Sequence, residues 1–471
     1  MYNETEIVAG GEMDIKEFLL ENKQNIIDDL AEIIAVRSVK SQPQDNAPFG
    51  GAVREVQLKA LALCEREGLK TTDNEGIISF ADYGPMAKHI GVFSHLDVVP
   101  EGEGWDTPPY VCTERDGFLV GRGTGDNKGP FIMSLYALKY IKEHNIPLKY
   151  GIRLIMGGDE EAGMSDAEYY VEHLPQPVFT IVPDSDFPVC HGEKGIYQTD
   201  YLSQPITNGS ILTIGGGLAS NVVPDHVYAM IKPEFLGQLS DSVPEGITVN
   251  RTAEGVLVEA SGVTAHAGTP FKGVNAFNIL FSFLCDSGVL TEEEKAIALF
   301  IRSIAGNVYG TGVELACDDG RFTPLTIITG MITKDNNRIR INVNVRYPAA
   351  VTPDSLEEKM KKIADNNGFI QENTKHMPVF YLDPDKPEIR LLSTIYHELS
   401  GKDGTPYVMS GGTYARKLKN AVAFGPDFKD AVYPEWVGAA HMKNEGLNIE
   451  DMLLAIEIYA NVLIKLQEVE F

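Results

Sequence analysis

The chain has 471 residues, with 67 Asp and Glu against 40 Lys and Arg, and a formal net charge of −27. So acidic a balance argues against nucleic acid or an anionic membrane as partner, and no apolar run approaches the ~20 residues that span a bilayer. The length suggests two or three domains, and a hydrophobic content of 43% is ample for their cores.

The first residues, Met1-Tyr2-Asn3-Glu4-Thr5-Glu6, lack the basic start and apolar core of a secretory signal, which predicts a cytoplasmic protein. The five cysteines (64, 112, 190, 285 and 317) form no Cys-x-x-Cys, and an odd, dispersed set fits reduced thiols in the same compartment. Ile15 to Val36 reads as a long amphipathic helix. Helices and strands then alternate to about residue 190, the pattern of a mixed, mostly parallel sheet with helices on both faces.

Ile90 to Val92 leads into Phe93-Ser94-His95-Leu96-Asp97, a buried strand ending in His-x-Asp. Residues two apart on a strand share a face, so Asp97 can fix the imidazole of His95 for a metal. Alone, the pattern fits a core histidine equally well. Next comes Gly121-Arg122-Gly123-Thr124-Gly125-Asp126-Asn127-Lys128-Gly129-Pro130, before a helix predicted from Phe131 to His144. A phosphate loop is the rival reading here, but no full Gly-x-Gly-x-x-Gly is present and Asp126 would repel a phosphate. The strand Ile152 to Met156 runs into Asp159-Glu160-Glu161, and Phe179 to Val182 into Pro183-Asp184-Ser185-Asp186. Solvated acidic runs are common, yet these end strands that are buried by composition. The expectation is four strands delivering His, Asp, Glu-Glu and Asp to the carboxyl edge of one sheet, where open α/β sheets build sites. Oxygen and imidazole donors without thiolate suit zinc, manganese or cobalt.

From about residue 196 to 385 the character changes. Short strand-like runs at 211–214 and 255–258 mix with helices near 273–287 and 291–304, which reads as α+β. The tail returns to helix, loop and helix, ending in Asp451 to Glu468.

The order His-x-Asp, Gly-Asp-Asn-Lys-Gly, Asp-Glu-Glu, Pro-Asp resembles the two-metal exopeptidases that include aminoacylases, carnosinases and bacterial dipeptidases, with the PepV-type dipeptidases nearest. Further matching stretches are Gly102-Glu103-Gly104-Trp105, Gly192-Glu193-Lys194-Gly195, Ala219-Ser220-Asn221-Val222-Val223-Pro224, Ala265-His266-Ala267, Asn344-Val345-Arg346-Tyr347-Pro348, Ser410-Gly411-Gly412-Thr413-Tyr414-Ala415-Arg416 and His441-x-x-x-Glu445. The resemblance implies that His95 and Asp184 bind one divalent ion, Glu161 and His441 a second, and that Asp126 bridges them. Zinc is the first choice, with manganese or cobalt as alternatives. It implies that Asp97 orients His95, that Glu160 is the general base, and that the Asp126-Asn127 peptide is cis. Ser94 stands where the family often has Gly, and Asn127 where it often has Asp; neither change removes a ligand.

A ligand as far along as His441 implies that the tail folds back on the first domain. The expected organisation is therefore a zinc-exopeptidase-like catalytic domain at 1–195 and 386–471, with an inserted lid at 196–385. As a lone loop residue His266 is more readily structural, but the resemblance implies that it hydrogen-bonds an oxyanion. Asn221 and Arg346 are the lid's other candidates, since a guanidinium fork matches a carboxylate. Gly411, Gly412 and Thr413 would lend backbone groups to the same task. A lid this long can supply its own histidine, where shorter-lidded relatives borrow a neighbour's, so a monomer is expected. The implied activity is hydrolysis of small peptides, dipeptides first. The alternatives are a deacylase of N-acyl amino acids on the same metals, and a non-catalytic scaffold, which would require a lost ligand. Asp186 and Glu193 are acidic groups that could attract a substrate ammonium.

Overall fold

Apolar runs of four to seven residues become strands that are buried along their whole length: Gly151–Gly157, His89–His95, Phe179–Val182 and Ala421–Phe424. In this computed structural model, which describes residues 14–240 and 242–471, the four pair in that order, all parallel. Antiparallel strands flank them, Ile78–Tyr83 and then Lys70–Asn74 on one side and Val189–Glu193 on the other. Strands hidden on both faces need cover on both. Helices Ile15–Ile34, Gly51–Arg66, Lys128–Glu143, Pro387–Ser400 and Ile449–Lys465 supply side chains to the core these strands share. The sheet is thus mixed with a parallel centre, and the fold is of the expected α/β class.

Two expectations need correction. Phe118–Val120, the apolar run before Asp126, is not a strand of this sheet; it pairs with Thr113–Arg115 and Gly446–Asn448 in a separate three-stranded sheet. Three of the four clusters therefore end central strands, and Asp126 lies in the loop that opens a helix. That helix begins at Lys128 rather than Phe131. Its first turn is pressed against the glycine loop so closely that a Cβ at Gly129 would come within 1.9 Å of the Thr124 carbonyl oxygen. The opening stretch Met1–Glu6, where no secretory signal was read, lies outside the described residues.

The chain divides into two compact units. The first comprises the residues up to His191 together with Leu382–Tyr407 and Gly412–Phe471; the second comprises Gly192–Tyr381 and Val408–Gly411. The second unit holds an eight-stranded antiparallel sheet in the order Ile247–Arg251, Val256–Ser261, His226–Ile231, Ile211–Gly216, Thr326–Asp335, Arg338–Tyr347, Gly195–Ser203, Phe369–Met377. Burial alternates along Gly195–Ser203 and Val256–Ser261, as it does where one face packs on a core. Helices Ala276–Ser287, Glu292–Ala305 and Pro353–Asn366 fill that core. A separate ribbon pairs Val222–Val223 with Ala265–His266. Among the described residues, no helix is long and apolar enough to cross a membrane, and all five cysteines are free.

Candidate metal centre

The carboxyl ends of three central strands and two loops converge in the first unit. Asp126 stands between two imidazoles, its Oδ1 2.8 Å from Nε2 of His95 and its Oδ2 2.9 Å from Nε2 of His441. Asp184 Oδ1 lies 3.7 Å from His95 Nε2, and Glu161 Oε1 2.9 Å from His441 Nε2. One carboxylate thus stands between the two imidazoles. Donor atoms of His95, Glu160 and Asp184 lie within 4.8 Å of one another, as do those of His95, Asp126 and Glu161.

The protonation pattern fits cations. His95 Nδ1 is 2.9 Å from the backbone oxygen of Asp97. A carbonyl only accepts, so Nδ1 carries a proton, and Nε2 of the neutral ring presents its lone pair. Asp126 Oδ1 faces that lone pair and is a buried oxygen that receives no hydrogen bond. A lone pair set against an orphaned carboxylate oxygen is the donor arrangement a divalent ion satisfies, and the absence of thiolate suits zinc, manganese or cobalt.

The field points the same way. Burial is the largest influence on Glu160 and, with Asp184 beside it, holds its carboxyl well above the usual range. Burial followed by Asp126 raises both Glu161 and Asp184. Burial opposes charge on His441, yet Asp126 and Glu161 outweigh it and push the imidazole up to about 11. Four carboxylates crowded in low dielectric demand positive charge, which protons or divalent ions can supply.

Backbone amides fix these side chains. The Asp97 carboxylate is 3.5 Å from His95 Nδ1, farther than the backbone oxygen; its oxygens accept the N–H groups of Glu160 and Glu161 at 3.2 and 3.1 Å. Asp97 therefore steadies the ring through its carbonyl and the Glu-Glu turn through its carboxylate. Asn127 donates to the Pro183 carbonyl at 2.6 Å and to Asp184 at 3.2 Å, and accepts from the His95 N–H at 3.3 Å. An ionised aspartate there could make neither donation. The Asp126-Asn127 peptide is cis.

Glu445 and Arg122 carried no role in the sequence reading. Glu445, 1% exposed, accepts with one oxygen from the N–H groups of Gly123, Gly125 and Asp126 at 3.0, 3.0 and 3.1 Å. Its other oxygen takes Arg122 Nη1 at 2.5 Å, and Arg122 reaches the His441 carbonyl at 3.4 Å. This buried pair ties the Asp126 loop to the His441 loop. The one available signal was the acid four residues after His441.

The expected substrate residues divide between the units. His266 and Asn221 are brought together in the second unit: Val222 pairs with His266, and the Ala267 N–H donates to the Asn221 carbonyl at 2.8 Å. His266 is exposed, and its Nδ1 accepts from the Gly268 N–H at 3.2 Å, which places the neutral ring's proton on Nε2. Arg346, also in the second unit, donates from Nε to Asn344 and from Nη1 to the Ser410 carbonyl, both at 3.0 Å. Burial and then the nearby Arg346 lower Lys194 to about 8. Gly411 belongs to the second unit, Gly412 and Thr413 to the first; Thr413 Oγ1 accepts from the Ala415 N–H at 3.1 Å.

The profile of Peptidase family M20/M25/M40 matches residues 91–465. The chain is 29% identical over 467 residues to the Bacillus subtilis (strain 168) protein named "Putative dipeptidase YtjP", covering 95% of this chain and 98% of that one. Among solved structures, the Saccharomyces cerevisiae di-peptidase Dug1p superposes with a TM-score of 0.60 at 15% identity, covering 97% of this chain and 98% of that one. Human carnosine dipeptidase 1 gives a TM-score of 0.57 at 15% identity, covering 97% and 99%. At those identities the two structures speak for the fold.

Proposed function

This chain belongs to peptidase family M20/M25/M40 and is a metal-dependent peptide hydrolase, and from that premise we propose that it cuts dipeptides at a two-ion centre with Glu160 as general base. The observation that carries the reading is Asp126, one carboxylate offering an oxygen to each of two imidazoles. His95 and Asp184 would hold one ion, Glu161 and His441 the other, with Asp126 shared; zinc is the first choice, manganese or cobalt next. Ions held there would polarise the scissile carbonyl and acidify the attacking water.

The chain's own residues do the rest. Glu160, whose carboxyl binds a proton more tightly than usual, accepts one from the water and passes it to the leaving amine. His266 donates a hydrogen bond from its Nε2–H to the oxyanion, an interaction that strengthens as charge develops. Arg346, with Asn221 and the Gly411-Gly412-Thr413 backbone, grips the substrate's free carboxylate and so measures its length. The second unit acts as the lid, in a cytoplasmic monomer. The name borne by the Bacillus relative supports dipeptides as substrates.

The test is a panel of dipeptides, tripeptides, dipeptide amides and N-acetyl amino acids, run after chelation and reloading with zinc, manganese or cobalt. Dipeptides should turn over and amides should not. Preferred cleavage of N-acetyl amino acids would replace this reading with a deacylase on the same centre.

A further inference from the structure

Four successive backbone N–H groups carry the turn on which Glu160 sits, and two buried carboxylates take them in pairs. Glu160 and Glu161 donate to Asp97. Gly158 and Asp159 donate to Oδ2 of Asp166 at 2.6 and 3.0 Å, and the Ala167 N–H donates to its Oδ1 at 2.7 Å. Both carboxylates are 0% exposed. Asp97 lies among the metal-site residues; Asp166 does not, and the proposed mechanism leaves it without a task.

A second group completes the arrangement around Asp166. The Tyr414 hydroxyl donates to its Oδ2 at 2.5 Å. The Tyr414 ring stacks on Phe93, with centroids 4.2 Å apart, and stands edge-on to His95 at 6.3 Å. Nothing else fits beneath the turn: a Cβ at Gly157 would lie 2.1 Å from the Tyr414 hydroxyl and 2.5 Å from Asp166 Oδ2. A fully buried carboxylate is costly unless its lone pairs are satisfied. Asp166 has four donors, and two of them are amides at the entrance to the Glu160 turn. Tyr414, in turn, follows directly on Gly412 and Thr413, the stretch assigned above to the substrate carboxylate. Thr413 caps the short helix Tyr414–Lys417 that presents the phenol.

We propose that Tyr414 and Asp166 are positioning residues that tie the carboxylate-gripping segment to the general base, Tyr414 setting Asp166 and Asp166 setting the angle at which Glu160 meets the water. This rests on Glu160 being the base. The link acts on the chemical step, so its loss lowers kcat and leaves KM and metal binding in place.

The experiment is a double-mutant cycle on the metal-loaded, full-length chain, with Tyr414→Phe and Glu160→Asp made singly and together. Tyr414→Phe keeps the stack on Phe93 and deletes one hydrogen bond, so kcat should fall by about tenfold with KM within about twofold. Calorimetric titration of the metal-free variant should give the parent's stoichiometry. In the Glu160→Asp background, where the base is already displaced, the same change should cost less than about twofold. Asp166→Asn should lower kcat in the same sense and further; if it melts below the assay temperature, Tyr414→Phe decides alone. An unchanged kcat in Tyr414→Phe, an equal loss in both backgrounds, or a loss confined to KM overturns the proposal. Glu160→Ala, measured alongside, tests the base itself: retained turnover there removes the base reading, whatever the cycle gives.

Discussion

His95 is 1% exposed, its Nδ1 against a backbone carbonyl and its Nε2 facing Asp126, whereas His266 is exposed on a two-residue strand of an isolated ribbon. The contrast extends to their units. In the first, Asp97, Asn127 and Glu445 hold the site residues through backbone amides and buried hydrogen bonds. In the second, Asn221 and His266 meet through a short ribbon. Ion binding by crowded carboxylates calls for fixed donors in low dielectric. A group that stabilises charge only as the reaction proceeds must be approachable by the substrate, and surface connections are where such groups are commonly placed.

The sharpest separation comes from adjacent residues in the first unit. Glu160→Ala should lower kcat by about 10⁴-fold, near the upper end for a general base, and keep its metal. Glu161→Ala should lose metal as read by elemental analysis. Equal metal loss in both, with turnover retained in Glu160→Ala, would merge the two roles.

In the second unit, His266→Ala should lower kcat by roughly 10²–10³, as for one oxyanion donor, with metal content unchanged. A parallel loss of metal would erase the distinction between the two histidines. Arg346→Ala should raise KM by roughly 10–100-fold, the worth of a charged hydrogen bond, and leave kcat nearly intact. Lysine should rescue poorly because it lacks the fork. Efficient cleavage of tetrapeptides by the parent would show that Arg346 does not measure length.

The smallest effect is one of pH on folding. Burial raises Glu445 from 4.5 to about 6. A carboxyl with a raised folded-state pKa favours the folded state most below its unfolded value and loses that contribution as pH rises through the folded one. In the metal-free chain, thermal melting should therefore include a decline between about pH 4.5 and 6 that Glu445→Gln flattens. A slope identical in the two proteins would place Glu445 in a more polar setting.

The legible part of the centre was the part written locally. His95, Glu160, Glu161 and Asp184 follow apolar runs short enough to be buried strands, and a strand's end fixes where the next few side chains go. Asp126 is expected at the end of a fourth strand of the same sheet, but the apolar run before it, Phe118–Val120, pairs with Gly446–Asn448 far along the chain instead. The supports were the least visible. Arg122 and Glu445 are 323 positions apart, and Tyr414 and Asp166 are 248 apart. Nothing near either partner distinguishes a buried charge from a solvated one until the chain is folded.

The order of strands in the central sheet also bears on how the protein is made. Ala421–Phe424 lies between Phe179–Val182 and Val189–Glu193, so the first unit cannot close its sheet until most of the chain has left the ribosome. At about 5–20 residues per second, the roughly 240 residues between those strands occupy the order of 10–50 s of translation. Throughout that interval His95, Asp126, Glu160, Glu161 and Asp184 are already synthesised without His441. The second unit, nearly continuous in sequence from Gly192 to Tyr381, can fold while they wait. The nascent chain therefore passes through a stage with an open sheet edge and an incomplete ligand set, the stage at which a chaperone or a wrong metal would find it.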